Sequence, residues 1–139
     1  MKKKEEASSK GAPLAHGVGR RKTAVARVWL RRGTGAVKVN GQSHDQYFDT
    51  DINRLRATYP FGICKEATGL DVEVNVRGGG NNAQADATCL GISRALVSIY
   101  DTARPSLKKH KLLTVDSRKK ERKKPGQKAA RRKFQFVKR

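Results

Sequence analysis

The charge of this chain is distributed unevenly along its sequence, and this limits where a folded domain can form. Residues 108–139 contain 15 lysines and arginines but only two acidic residues, which gives this segment a net charge of +13. The preceding 107 residues carry only +7 of the total charge of +20. The last segment also has too few apolar side chains to bury a hydrophobic core. Any compact domain must therefore lie in the preceding residues.

The composition predicts three segments. Residues 1–15, which are polar and rich in lysine, serine and alanine, are predicted to be a flexible leader. Residues 16–107 are long enough for one globular α/β domain. Residues 108–139 are predicted to form an extended basic C-terminal tail that is disordered alone and becomes ordered on a partner.

The net charge of +20 predicts a polyanionic partner, and nucleic acid is the most common partner of a chain this basic. No apolar run approaches the length that spans a bilayer, so no membrane partner is expected. The N-terminal residues lack the apolar stretch of a secretory signal, which favours an intracellular protein. Cys64 and Cys89 have no metal-ligand spacing and are predicted to be reduced, structural side chains.

Alternation of apolar and polar residues predicts several strands. The alternation is clearest over residues 70–76, as in a strand with one buried and one solvated face. Residues 17–30 are predicted to form one longer strand. Residues 36–39 and 42–43 are predicted to pair as a hairpin, because Asn40-Gly41 suits a two-residue turn.

Two helices complete the predicted fold. Residues 44–59 fit helical spacing moderately, and Pro60 is expected to end that helix. Residues 82–102 carry an apolar stripe on one helical face, and Pro105 limits their extension. The order of elements indicates an α+β fold, a two-layer α/β sandwich of about four strands with both helices on one face of the sheet.

Two motifs of the predicted domain could contact phosphates. Arg20, Arg21 and Lys22 follow a glycine where the first strand begins, with a solvated charged turn as the alternative interpretation. Arg27 adds a cation to the same strand. A glycine run leads into the second helix, whose N-terminal amides could bind an anion, although a tight connection that needs positive φ is an equal alternative. The glycines of this run are Gly78, Gly79 and Gly80.

Catalysis is not predicted. His16, His44 and His110 have neither metal-ligand spacing nor a nucleophile beside them, and paired carboxylates are missing. We therefore expect no enzyme activity, no metal site and no cofactor. Two rival interpretations stay open, an architectural DNA-binding protein and a phosphate-handling enzyme that uses the glycine run.

The tail carries the strongest functional signal. Glycine, glutamine and the pair Phe134 and Phe136 interrupt its basic clusters, and this irregular detail favours docking on a shaped surface. Arginine can bind phosphate in bidentate geometry, and phenylalanine can stack on bases. The predicted RNA contacts of this part are Arg118, Arg122, Lys123, Lys124, Lys128, Arg131, Arg132 and Lys133.

Three segments together resemble a known family. They are residues 17–28 (GVGRRKTAVARV), the glycine run with residues 84–85 and 91–96 behind it, and the ending ERKKPGQKAARRKFQFVKR. In this order, over about residues 16–139, they are similar to protein nine of the small ribosomal subunit in its bacterial or organellar form. The positions that depart from the family pattern are Ala83, Asp86, Val115 and Val137.

The resemblance implies a domain with a left-handed β-α-β crossover, bound in the head of the small subunit to its large ribosomal RNA and to neighbouring head proteins. It implies that Arg20, Arg21 and Lys22 contact this RNA together with five tail cations, which are Arg122, Lys123, Lys124, Arg131 and Arg132. It also implies that Lys138 and Arg139 contact the transfer RNA at the peptidyl site. The implied location is the cytoplasmic ribosome, with mitochondrial or plastid ribosomes as the alternative.

Overall fold

A five-stranded mixed sheet forms one layer of the structure, a computed structural model that describes residues 11–137. The order of the strands across the sheet is β1-β2-β5-β3-β4, and the pairs are antiparallel except β3 with β5. The connection from β3 to β5 is therefore a β-α-β crossover, and its left hand stays a prediction. The strands are β1 (Ala15–Arg21), β2 (Ala24–Arg32), β3 (Val37–Val39), β4 (Gln42–Ser43) and β5 (Leu70–Arg77).

Helices form the second layer. The longest helix, α3, lies across β1 and β2 and also packs against α2. Short 3-10 turns follow α2 at Lys65–Ala67 and α3 at Asp101–Ala103. The predicted α+β sandwich is thus confirmed. The α-helices are α1 (His44–Tyr47), α2 (Asp51–Ile63), α3 (Asn81–Ile99) and α4 (Arg104–Lys109).

The hydrophobic core lies between the sheet and α3. Alternate residues of β2 and β5 are buried, as the pattern of residues 70–76 predicted. Their register places Val28 beside Val74, and Ile92 and Leu96 of α3 are fully buried in the same core. The residues that alternate with these buried positions are half-buried or exposed on the opposite face, which we call the open face.

Strand β1 approaches α3 closely because its glycines face the helix. A Cβ atom at Gly19 would lie 1.8 Å from the carbonyl oxygen of Ala87, and one at Gly17 would lie 2.2 Å from that of Gly91. Gly91 is equally constrained, since a Cβ there would lie 2.6 Å from a methyl group of Val28. These glycines are therefore required for packing between strand and helix.

The prediction of one strand over residues 17–30 is wrong, because this segment forms the hairpin of β1 and β2. In its turn Lys22 has a φ of 52°, which is a left-handed conformation. The sequence gives no signal of this turn, because neither glycine nor asparagine occupies that position. In the structure, the buried positions change across this turn from odd numbers, ending at Gly19, to even numbers, beginning at Ala24.

The predicted helix over residues 44–59 is divided into α1 and α2 by the fully buried Phe48. Thr50 caps α2, because its side chain accepts a hydrogen bond from the backbone amide of Asn53 at 3.4 Å. The prediction that Pro60 ends this helix is wrong. Pro60 is buried in the last turn, where a missing amide removes only one helical hydrogen bond.

The second predicted helix, residues 82–102, also differs at its C-terminal end. Helix α3 stops at Ile99, and its last backbone carbonyls are partly satisfied by the Tyr100 amide, which donates to Leu96 at 2.8 Å. Pro105 does not mark the end of α3, because it lies within the first turn of α4, where its fixed φ suits helix initiation.

Candidate nucleic-acid interface

The β1–β2 turn and the glycine run lie side by side at one end of the sheet. A Cβ atom at Gly78 would lie 2.5 Å from the carbonyl oxygen of Thr23. Gly78 and Gly79 have φ angles of 75° and 70°, so the run is a tight connection that needs glycine. Lys22 is exposed at the turn. We call this region the turn surface; it comprises Arg20, Lys22, Thr23, Gly78, Gly79 and Gly80.

The N-terminus of α3 belongs to the same end of the molecule. Gly80 precedes the helix without a capping side chain and is exposed, so the first helical amides can approach an anion. Asn81, however, donates a hydrogen bond to the carboxylate of Asp49. This negative charge partly neutralises the positive end of the helix dipole and would repel a bound anion, so the basic side chains of the turn are better placed to attract phosphate.

Three arginines share the open face. Arg20 and Arg77 flank Val25 in one row across three strands, and Arg27 lies in the next row, opposite Asn75. All three arginines are exposed, and neighbouring strands are about 4.8 Å apart, so their guanidinium groups can reach adjacent phosphates. Arg77 was not predicted as a contact. The alternation of β5, combined with its register to the hairpin, is the signal that could have found it.

Arg21 faces the opposite way and holds the start of the tail against the body. Its guanidinium group forms ion pairs with Asp86 at 3.5 Å and with Asp116 at 3.2 Å. It also donates to the backbone carbonyls of Asp116 and Arg118 at 3.3 and 3.2 Å. Asp86 pairs with Arg56 as well, at 3.2 Å. Arg21 is thus already engaged within the protein, and its predicted contact with RNA stays a prediction.

The described part of the tail has neither helix nor strand beyond α4. Leu112 and Leu113 pack against the core of the body. Further along, Arg131 donates to both carboxylate oxygens of Glu121 at 2.9 and 2.6 Å, which closes a loop. Hydrogen bonding from Arg118 holds the pKa of Asp116 well below its ordinary value, and Arg131 lowers the pKa of Glu121 in the same way.

The other predicted contacts of the tail that the structure describes are exposed. Lys128 lies over the ring of Phe134, with its Nζ atom 5.7 Å from the ring centre. Lys138 and Arg139 lie outside the described residues. Within residues 11–137, several tail cations are exposed and form no ion pair with a carboxylate. They are Arg122, Lys123, Lys124, Arg132 and Lys133.

Cys64 and Cys89 are buried and unpaired, as predicted. Burial, followed by Asp86, raises the pKa of the Cys89 thiol to about 12, and burial also raises that of Cys64. In the part of the chain that the structure describes, no group of three or more histidine, cysteine or acidic side chains could hold a metal ion. No helix of that part has the length and apolar character to span a bilayer.

The sequence was compared with known proteins. The profile of the family described as ribosomal protein S9/S16 matches residues 19–139. Small ribosomal subunit protein uS9 of Chlorobium limicola is 48% identical over 122 residues, which cover 88% of this chain and 95% of the relative. The uS9 protein of Desulfovibrio desulfuricans is 48% identical over 89% of this chain and 95% of the relative. That of Cytophaga hutchinsonii is 46% identical over 91% of this chain and 98% of the relative. The chain therefore belongs to the ribosomal protein S9/S16 family.

Proposed function

We propose that the chain is a structural, non-enzymatic component of the small ribosomal subunit and binds the large ribosomal RNA of that subunit. Its membership of the S9/S16 family carries this proposal. A net charge of +20 supports RNA as the partner, because the chain gains stability when phosphates neutralise its self-repulsion. The proposed location of the chain is the head of the small subunit, where it would lie beside other head proteins.

The proposed RNA contacts belong to two groups. The turn surface and Arg27 are held by the sheet, so they can set the orientation of the domain on RNA. The tail cations supply charge without regular structure. Each phosphate that they neutralise releases counterions, so affinity falls with a log–log salt slope of roughly −0.7 to −0.9 per contact.

We also propose that Lys138 and Arg139 contact the transfer RNA at the peptidyl site. The support is the resemblance of the C-terminal segment to the family, together with its reach. An extended chain spans about 3.3 Å per residue, so residues 118–139 can extend roughly 70 Å from the body. This is long enough to place the terminal pair far from the sheet.

Sedimentation tests the first proposal. The chain, purified from its own cells under gentle conditions, is expected with small ribosomal subunits. Recovery with chromosomal DNA alone would instead favour the architectural DNA-binding protein. Nucleotide turnover by the purified chain, abolished by substitution of Gly78 and Gly79, would favour the phosphate-handling enzyme.

Deletion of the last two residues tests the transfer RNA contact. We expect subunits that assemble normally but bind transfer RNA more weakly at the peptidyl site. Deletion of Lys2 and Lys3 is the matched control, since it removes the same formal side-chain charge from the other end of the chain. Equal occupancy of the peptidyl site in both variants would reject the proposed contact.

A further inference from the structure

A cavity of about 560 Å³ lies between the body and the start of the tail. Residues of β1, α2 and α3 form its walls on the body side, and residues 111–118 of the tail contribute the remaining wall. Its volume is within the range of sites that take small organic ligands, and a single nucleotide is a ligand of that size.

The cavity carries an excess of positive charge. Five basic side chains and two carboxylates line it. Lys111 forms no ion pair with a carboxylate among the residues that the structure describes, so its charge is available to an anion. The two carboxylates are already paired with Arg21, Arg56 and Arg118.

The cavity also presents an aromatic ring. Tyr59 is 47% exposed although it is a large apolar side chain. Its hydroxyl lies 3.3 Å from Nδ1 of His110, and the two rings meet edge to face at 6.0 Å. These contacts fix the ring while leaving much of it accessible. Leu90 and Leu112 add apolar surface to the same cavity.

We propose that this cavity binds one unstacked nucleotide of RNA, with the base against Tyr59 and its phosphate on Lys111. Exposed aromatic rings beside cations are the usual means by which proteins hold splayed-out RNA bases. This inference rests on the proposed function, because it names a particular binding site for the RNA. The bound nucleotide would lie between the body and the start of the tail and would link the two.

The test uses the full chain and an in vitro transcript of the head domain of small-subunit RNA, with affinity measured at several KCl concentrations. Tyr59→Ala is expected to weaken binding by about fivefold to a hundredfold, the range of base–aromatic stacking. Tyr59→Phe retains the ring and should bind like the parent. Leu55→Ala is the matched control, because Leu55 is 71% exposed on the same helix but lies outside the cavity.

A charge variant provides a second readout. Lys111→Gln should make the log–log salt slope shallower by roughly 0.7 to 0.9, as expected for one lost phosphate contact. Lys111 is exposed, so this variant should fold even if Tyr59→Ala does not. Circular dichroism and thermal melting establish the folded state of each variant.

The outcomes separate this inference from the proposed function. If the parent chain does not bind the transcript, the proposed function itself fails. If the parent binds but neither Tyr59→Ala nor Lys111→Gln changes affinity or slope, the cavity is not a nucleotide site. If Tyr59→Phe or Leu55→Ala loses as much RNA affinity as Tyr59→Ala, stacking in the cavity is also overturned. The same holds if Tyr59→Ala binds the transcript like the parent but fails to assemble into small subunits.

Discussion

The folded body and the tail present their positive charges in different ways. In the body, strand alternation and register fix the direction of each cation: Arg20 and Arg27 lie on the open face, whereas Arg21 faces the helix layer. In the described tail beyond α4 no helix or strand imposes such directions, and the cations there are exposed. In the proposed complex with RNA, the body would therefore define orientation without further ordering, whereas the tail would contribute more charge and lose conformational entropy on binding.

The largest effect is expected on folding stability, from a substitution of Gly19 in the folded body. Gly19→Ala places a Cβ atom against the backbone of α3, which cannot move aside as a flexible side chain could. We expect the free energy of unfolding to fall by about 3 kcal/mol or more, the upper part of the range for overpacking. Unfolding in urea, monitored by circular dichroism, measures this free energy.

Gly62→Ala is the control for that substitution. A Cβ atom at Gly62 would meet no atom within 4 Å, and the residue lies in α2. Alanine is favoured over glycine in helices by roughly 0.5 to 1 kcal/mol, so this variant should be at least as stable as the parent. Equal free energies of unfolding for Gly19→Ala and Gly62→Ala would contradict the close packing of β1 on α3.

Removing the tail should lower RNA affinity without lowering the stability of the fold. A chain that ends at Ser117 loses 12 basic residues and one acidic residue. Because the core remains, its free energy of unfolding should change by about 0.5 kcal/mol or less. Its affinity for head-domain RNA should fall by roughly a hundredfold or more, with a much shallower salt slope.

A charge-preserving variant sharpens this result. Replacing both Phe134 and Phe136 with alanine removes possible stacking but keeps every cation, so affinity should fall while the salt slope stays unchanged. An unaltered salt slope in the chain that ends at Ser117 would show that the body, and not the tail, makes most phosphate contacts.

A smaller effect is expected at Asp71, which organises a loop of the body. Its carboxylate accepts hydrogen bonds from the amides of Thr34, Gly35 and Ala36 at 2.8, 2.9 and 3.0 Å. Asp71→Asn should lower the free energy of unfolding by about 1 kcal/mol at neutral pH, as for a partly solvated charged hydrogen bond.

The pH dependence of this difference follows from the sign of the shift. The amide of Ala36, followed by those of Gly35 and Thr34, lowers the pKa of Asp71 in the folded protein. The stabilisation is therefore complete above the unfolded pKa of about 3.9 and is lost as pH falls through the folded pKa. Parent and variant should converge in unfolding experiments at low pH, and a constant difference there would contradict this role of the carboxylate.

Sequence patterns predicted the fold class because its main signals are local. The alternation of residues 70–76 and the Asn40-Gly41 turn are both found in the structure. The β1–β2 turn was missed, since Lys22 adopts positive φ without a residue type that favours it. Pro60 misled because a proline removes only one helical hydrogen bond, and α2 accommodates that loss within its last turn.

The candidate site could be predicted only in part. The basic residue types were visible in the sequence, but pairing across the sheet was needed to place Arg77 in the same row as Arg20. The ion pairs of Arg21 with Asp86 and Asp116 join residues far apart in the sequence, so no local pattern could reveal them. The cavity next to Tyr59 has the same origin, because the body and the tail both form its walls.

Lysine reactivity tests the difference between body and tail most directly. Acetylation rates would be compared, residue by residue, for the free chain and for the chain in assembled small subunits. We predict that Lys123, Lys124 and Lys133 lose most of their reactivity on assembly, whereas Lys65, exposed in a 3-10 turn of the body, stays reactive. Tail lysines that react equally fast in both states would contradict a tail engaged with RNA.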